Sequence, residues 1–105
     1  MLNNRKGTLQ LTNSNFFANF TPDGKGGALA NTNDPNPVSY DATIEALNVT
    51  ISGNRAQSGG AIYNEKVVAL WNSIIEEGTA GSGGTCAGLK SVTDNGTNIQ
   101  NPGTA

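Results

Sequence analysis

The chain has 105 residues and a formal net charge of −2, and only 13% of its residues are charged. This length allows one domain or a piece of one, and we expect neither a nucleic-acid partner nor a membrane span, because no basic face and no run of roughly 20 apolar residues is present. Asn (15 residues) and Gly (14) are abundant and His is absent, which favours a β architecture with recurring turns over a compact hydrolase.

One pattern occurs three times, beginning at Thr8, Thr43 and Val67. The copies align on double glycines, and the third follows the second at a constant offset of 24 residues. The first copy carries two insertions, the longer of which lies between Asn31 and Asn48. A repeat of this kind predicts stacked units rather than separate domains. We expect one segment over 1–105, with coils at about 8–31, 43–64 and 67–88 and a partial coil over 89–105.

Apolar and polar residues alternate between the corners of each copy. Leu9 and Leu11 begin this pattern in the first copy, and the aligned positions of the later copies are also apolar. Such a period of two predicts strands with one buried face. Ile51 should be fully buried between Phe16 and Ile75 of the adjacent coils. Three short strands in each coil predict an all-β parallel β-solenoid of three to four coils.

Asn or Gly occupies nine aligned corner positions. Both residues tolerate the left-handed backbone conformation with positive φ, so a turn of that kind is predicted at each corner. The first corner keeps Asn in every copy, which predicts a ladder of amides about 4.8 Å apart. Replacement of Asn48 by Gly should therefore cost more than replacement of Asn54. The nine corners are Asn13, Asn48 and Asn72; Asn19, Asn54 and Gly78; and Asn31, Asn64 and Gly88. In the partial coil, Asn95 and Asn101 have the same spacing of six residues and are expected to continue the first and second corners.

Short motifs next to these corners carry a family resemblance. Residues 16–19 (FFAN) and 51–54 (ISGN) fit FxxN or a variant of it, and GGAL or GGAI follows at 26–29 and 59–62. The pattern resembles the repeats of chlamydial polymorphic outer-membrane proteins and of bacterial surface proteins with a CSLREA segment. The resemblance implies a right-handed, single-stranded parallel β-helix, and we interpret the chain as an internal fragment with neighbouring coils on either side. In the third copy the motifs have become IEEG and GGTC.

The resemblance also implies a function. It points to a structural or adhesive segment of a secreted or cell-surface bacterial protein that binds host protein or glycan. The alternative is a fragment of a pectate-lyase-like, carbohydrate-active enzyme whose catalytic coils lie outside this chain. We assign no catalytic residue and expect no cofactor and no enzyme activity, since the sequence offers no His to activate a nucleophile and no convincing pair of carboxylates.

Four outward aromatic or apolar residues are candidates for an interaction surface. Leu47 and Trp71 share the outward position before the first corner, and Tyr63 points outward from the third strand of its coil. Tyr40 lies in the insertion 32–41. We expect the insertion to cover Leu47 and Trp71, because soluble proteins seldom leave such a patch bare. An uncovered binding surface is the alternative.

The acidic residues offer one candidate metal site. Asp23, Asp34 and Asp41 lie on the two insertions of the first copy. Carboxylate oxygens are ligands that Ca²⁺ prefers, so these three are weak calcium candidates. Acids in exposed loops are usually only solvated, and we therefore expect no metal.

The single cysteine, Cys86, falls at an inward strand position. We expect it to act as a small buried hydrophobic residue. The alternative is half of a disulfide with a partner beyond Ala105, as a leftover cysteine in a secreted chain suggests. A catalytic role is disfavoured, because the chain has no His to activate the thiol.

Overall fold

The computed structural model describes residues 2–32, 42–76, 79–82 and 84–101. All regular structure in these ranges is β, and they contain no helix that could cross a membrane. The strands are β1 Leu2–Asn4, β2 Gly7–Thr12, β3 Asn15–Phe17, β4 Phe20–Lys25, β5 Leu29–Asn31, β6 Ala42–Leu47, β7 Thr50–Ser52, β8 Arg55–Ser58, β9 Ile62–Asn64, β10 Val67–Trp71, β11 Ile74–Glu76, β12 Thr79–Ser82, β13 Cys86–Ala87, β14 Thr93–Asp94 and β15 Ile99–Asn101.

The described strands form four parallel sheets. Sheet I has the order β1-β5-β9-β13, sheet II β2-β6-β10-β14, sheet III β3-β7-β11-β15 and sheet IV β4-β8-β12. Every sheet takes one strand from each successive run of four, which we call a pass: β2–β5, β6–β9 and β10–β13. Strands β14 and β15 belong to a fourth pass, and β1 precedes the first. The expectation of an all-β fold with parallel sheets is confirmed.

The pairing register follows the alignment of the sequence copies. Thr8 pairs with Thr43, which pairs in turn with Val67 in sheet II. In sheet III Ile51 stands between Phe16 and Ile75. Equivalent residues therefore lie side by side, because the chain returns to the same point of each sheet once in every pass.

Each pass contains four strands, not the three predicted. The missed strands are β4, β8 and β12, which form sheet IV. Their sequences, FTPDGK, RAQS and TAGS, are polar or Gly-rich and show no apolar alternation. In β8 only the small Ala56 is buried. A strand that buries so small a side chain leaves no periodic signal.

The fourth pass departs from its predicted corners. Asn95 and Asn101 were expected to continue the corners of Asn72 and Gly78. Instead Asp94 pairs with Leu70, and Asn101 pairs with Glu76 at the end of sheet III. One extra residue between β14 and β15 shifts the register, and Gly96 and Thr97 take the positive φ angles, at 110° and 58°.

The core is one cluster of buried side chains drawn from successive passes. Leu29 and Ile62 come from sheet I, Ile44 from sheet II and Ile51 from sheet III, and each is 0% exposed. The burial predicted for Ile51 is confirmed. Inward residues of β1, β2 and β3 pack against the same cluster but are only partly buried.

Gly26 and Gly27, the double glycine of the first copy, are each required for a different steric reason. Gly26 has a φ of 73°, and a Cβ there would lie 2.0 Å from the Leu29 carbonyl oxygen. The next residue, Gly27, needs no positive φ, but its Cβ would lie 2.1 Å from the carbonyl oxygen of Gly60 in the next pass. Such distances exclude any side chain, so both glycines are required for passes to approach at this bend.

Candidate functional site

The first predicted corner has the expected backbone. Asn13, Asn48 and Asn72 have φ angles of 51°, 57° and 49°. Their side chains are exposed on the outside of the bend. This left-handed conformation is one that Asn reaches more easily than other residues with a side chain.

The second corner differs from the prediction. Positive φ occurs at Ala18 (56°) and Gly53 (65°), one residue before Asn19 and Asn54. The αL conformation expected at these two asparagines is therefore wrong. Their amides instead turn toward the interior, and Asn54 is 1% exposed. The third member, Gly78, lies outside the described residues.

The third corner also differs. Asn31 and Asn64 are the last residues of β5 and β9, are 0% exposed and have no positive φ. Only Gly88 in the third pass has a positive φ, of 122°. Asn31 and Asn64 were selected as turn residues, but their position reflects the hydrogen bonds of a buried amide.

Asn13, Asn48 and Asn72 form an outer ladder on the surface. The Asn48 Nδ2 donates to the Asn13 Oδ1 at 3.0 Å, and the Asn72 Nδ2 donates to the Asn48 Oδ1 at 2.5 Å. The amide ladder predicted at this corner is confirmed. In each pair, the side-chain amide of the later pass donates to that of the preceding pass.

A second ladder, of Asn4, Asn31 and Asn64, lies between sheets I and II. The Asn4 Nδ2 donates to the Asn31 Oδ1 at 3.1 Å, and the Asn31 Nδ2 donates to the Asn64 Oδ1 at 3.0 Å. The Asn31 amide also donates to the carbonyls of Ala42 and Val67, both at 2.9 Å. These bonds satisfy backbone groups where the chain passes from one sheet to the next.

Asn19 and Asn54 form a third, shorter ladder between sheets III and IV. The Asn54 Oδ1 accepts from both the backbone N–H and the Nδ2 of Asn19, each at 2.9 Å. Its Nδ2 donates to the carbonyls of Phe16 (2.9 Å) and Ser52 (3.1 Å). Asn54 thus makes more bonds than Asn48, so the premise that the second corner needs only a turn residue is wrong.

A groove runs over the outer face of sheet II. Leu47 and Trp71 lie side by side in register there, and Leu47 is 44% exposed. The Gln10 Nε2 donates to the Glu45 Oε2 at 3.1 Å. Gln10 and Glu45 together form the polar wall of the groove beside Leu47 and Trp71. The cavity has a volume of about 340 Å³, and its described lining residues are Gln10, Leu11, Thr12, Glu45, Leu47 and Trp71.

Sequence reasoning identified two residues of this groove and missed its polar wall. Gln10 and Glu45 occupy the outward position two residues before Thr12 and Leu47, so the strand period carried a signal for them. The insertion expected to cover the groove, with Tyr40, lies outside the described residues except for Thr32. Coverage therefore stays a prediction.

Tyr63 is not brought into the groove, because it belongs to sheet I. The Lys25 Nζ lies 4.7 Å from the centroid of its ring, and the Tyr63 hydroxyl donates to the Glu65 Oε1 at 3.2 Å. Lys25 also forms an ion pair with Glu65 at 3.6 Å. The contacts with Tyr63, and then Glu65, raise the pKa of Lys25. Its cationic form is therefore favoured at this solvent-exposed position.

The calcium candidates are only partly described. Asp23 is exposed on β4, and Asp34 and Asp41 lie outside the described residues. Within the described ranges, no group of three His, Cys, Asp or Glu side chains is placed to hold a metal ion. On β14, bonds from the Gly96 N–H and the Asn98 amide lower the pKa of the Asp94 carboxyl.

Cys86 is an inward residue of β13, and its predicted burial is confirmed, with 6% exposure. The thiol is free, and burial raises its pKa to about 11. It is therefore protonated at neutral pH and a poor nucleophile. Its behaviour matches that of a small hydrophobic side chain packed among the core residues.

No protein-family model, curated protein or solved structure matches the chain. A functional proposal therefore depends on the register, the ladders and the groove. Of these features, the ladders stabilise the stack of passes, and the groove is a surface cavity that combines an aromatic ring with polar side chains.

Proposed function

We propose that the chain is a segment of a right-handed, single-stranded parallel β-helix, with a structural and adhesive role in a secreted or cell-surface bacterial protein. The observation that supports this most is the repeated register. Equivalent residues stack in every sheet, and asparagine amides join the passes at three separate bends.

The structural role is supported by the direction of these bonds. Backbone bonds such as Asn13 N to Leu47 O and Asn48 N to Trp71 O run from pass to pass, parallel to the amide ladders. Each pass extends the stack by about 4.8 Å, the distance between hydrogen-bonded strands. Because every pass contacts chiefly its neighbours, length can be added without a change in cross-section. Such a stack suits a spacer.

The adhesive role is supported by the groove on sheet II. Its apolar floor, Leu47 and Trp71, stands beside the hydrogen-bonded pair Gln10 and Glu45. A Trp with a polar neighbour is a common anchor at binding surfaces, since it supplies a large apolar area and a hydrogen-bond donor. The proposed partner is a host protein or a glycan. Nothing in the described ranges specifically favours the alternative, a carbohydrate-active enzyme.

The adhesive role is tested by binding of the purified chain to host-cell surfaces and to immobilised glycans. Trp71→Ala should weaken binding by about tenfold or more, the loss expected for an anchoring residue. Val67→Ala is the matched control, because Val67 is 48% exposed on the same strand and face but does not line the groove. Equal binding by both variants would refute a role of the groove.

The structural role is tested by a crystal structure of the unaltered chain. A closed, right-handed winding with Ile51 between Phe16 and Ile75 is the expected result. An open arrangement of the sheets, or a left-handed winding, would refute the β-helix even if the chain binds cells.

A further inference from the structure

The border of the stack formed by β2, β3 and β4, which we call the first-pass edge, is incompletely covered. Among the described strands none pairs with their outer side. The inward residues Leu9 and Phe16 are only partly buried, whereas their partners Ile44 and Ile51 in the next pass are 0% exposed. The edge therefore presents both unpaired backbone and apolar core surface, which is the chemistry that binds another strand.

The directions of the hydrogen bonds in the amide ladders decide which side-chain groups are left at this edge. In the outer ladder the donors point toward the first pass, so the Asn13 Oδ1 is used and its Nδ2 has no partner among the described residues. In the ladder of Asn19 and Asn54 the donor points the other way, so the Asn19 Oδ1 has no donor among the residues that the structure describes. One unused donor and one unused acceptor thus stand at two adjacent bends.

The second pass shows what satisfies these groups. A neighbouring pass with Asn at the first bend would offer an Oδ1 to the Asn13 Nδ2, as Asn13 now offers its own to Asn48. An Asn at the second bend would give its N–H and Nδ2 to the Asn19 Oδ1, as Asn19 now gives both to Asn54. The two asparagines must be six residues apart.

The described residues of the opposite edge lack this pattern, because Asn95 and Asn101 are six residues apart but out of register with the earlier corners. At the bend between β14 and β15 the positive φ angles belong to Gly96 and Thr97, and neither residue has a side-chain amide. The nearby Asn98 is already engaged, because it accepts from the Ser73 N–H and donates to the Leu70 carbonyl. Head-to-tail association with a second copy would leave the Asn13 Nδ2 without an acceptor.

We infer that the first-pass edge is a docking surface for one kind of partner, a parallel β pass that carries asparagines six residues apart at its first two bends. Residues 42–61 of this chain, with Asn48 and Asn54, have that pattern. The inference rests on the stacking in the proposed β-helix, not on the adhesive role.

The main experiment places such a pass next to the edge. A copy of residues 42–61 is fused directly before Leu2 in place of Met1. The junction reproduces the step from Ala61 to Ile62, because Leu2 and Ile62 both pair with Leu29. The midpoint of thermal unfolding should rise by about 5 °C or more. Amide hydrogens of β2 should exchange at least about tenfold more slowly.

The matched control carries the same fused pass with Gly in place of its two asparagines. This control keeps the strands but removes the side-chain amide groups. It should therefore give no more than about half of the rise in melting temperature that the fusion with both asparagines gives. An equal rise for both fusions would overturn the amide pairing. No rise for either would overturn the docking surface.

A second measurement covers the case in which the fusion does not fold. A peptide of residues 42–61 is added to the unaltered protein, and the side-chain amide signals of Asn13 and Asn19 are followed by NMR. They should shift with this peptide and not with the peptide in which both asparagines are Gly. Absence of a shift would overturn the inference.

Sedimentation of the unaltered protein tests whether a second copy of the chain occupies the edge instead. Concentration-dependent association that is lost on Asn13→Gly would place a second copy on the edge and overturn the inference. The crystal structure of the unaltered chain separates this from the proposed function. If it shows the observed registers but the added pass does not dock, the docking surface alone fails.

Discussion

Asn48 and Asn54 lie six residues apart in one pass, yet they stabilise it in different ways. Asn48 has a φ of 57° and an exposed amide with one ladder bond on each side. Asn54 has ordinary backbone geometry, 1% exposure and four hydrogen bonds. At the first position the backbone conformation selects the residue, whereas at the second the buried amide does.

The two asparagines should therefore respond differently to replacement by Gly. Asn54→Gly leaves the Asn19 N–H and Nδ2 without the acceptor that they share, and an unsatisfied buried group costs about 1–3 kcal/mol. Asn48→Gly loses two exposed bonds but relieves the left-handed conformation, so a loss below about 1 kcal/mol is expected. Urea unfolding of both variants measures the free energy of unfolding that each one loses. Equal losses, or a larger loss for Asn48→Gly, would contradict it.

Ala18 and Gly53 provide a second matched pair at the residue scale. Both have a positive φ at the same bend of successive passes, but only Ala18 has a Cβ. The left-handed conformation costs a residue with a side chain about 1–2 kcal/mol, and part of the gain from Gly is lost to backbone entropy.

Ala18→Gly should therefore stabilise the fold by about 0.5–1 kcal/mol, and Gly53→Ala should destabilise it by about 1 kcal/mol. A Cβ at Gly53 would lie 3.6 Å from the Phe17 ring, an ordinary contact, so the cost comes from the backbone. Thermal melts of the two variants test the signs. Destabilisation by Ala18→Gly would mean that the methyl group has a packing role.

At the scale of elements, the stacked strands β3, β7 and β11 test the register. Ile51 is 0% exposed between Phe16 and Ile75. Ile51→Asp would bury a carboxylate without a partner, at a cost of several kcal/mol that approaches the whole stability of a small domain. We expect circular dichroism to show loss of the cooperative transition.

The control for this substitution is the neighbouring residue of the same strand. Thr50 faces outward between Asn15 and Ile74 and is partly exposed. Thr50→Asp keeps its charge in water, so the variant should melt within about 5 °C of the unaltered protein. If the two Asp variants melt alike, the inward and outward faces of β7 have been assigned wrongly.

The same elements show what the sequence could predict. The registers of sheets I, II and III were predictable, because neither insertion falls in a strand of these sheets: the longer lies between β5 and β6, and the shorter lies within β4 of sheet IV. Sheet IV was not, because β8 buries only Ala56 and has no large apolar residue to reveal a period. The fourth pass was misaligned because Asn95 and Asn101 reproduce the spacing of earlier corners without their register.

The asparagines illustrate a limit of a different kind. The presence of Asn or Gly at every corner was interpreted as a demand for positive φ, which holds at Asn13, Asn48 and Asn72. At Asn31 and Asn54 the demand is for a buried amide that bonds two passes, and this depends on which strands become neighbours. The polar wall of the groove, Gln10 and Glu45, depends on the same pairing.

At the scale of the whole molecule, the passes form a series in which each contacts chiefly the next. Stability in such a series is a sum of terms for single passes and for their interfaces, so the outermost described passes open most easily. The middle pass is covered on both sides, with Ile44 and Ile62 at 0% exposure. At the far end Ile99 is 61% exposed.

Hydrogen exchange at three equivalent amides should report this gradient directly. The N–H groups of Asn13, Asn48 and Asn72 each bond a carbonyl of the following pass, at 3.0, 3.1 and 3.1 Å. Because their local bonds are alike, differences in exchange rate reflect the opening of the pass. The Asn48 amide should exchange slowest, and the other two at least about tenfold faster. Equal rates at all three would mean that the passes unfold as one cooperative unit, in which case addition of a pass would stabilise every strand alike rather than only its neighbours.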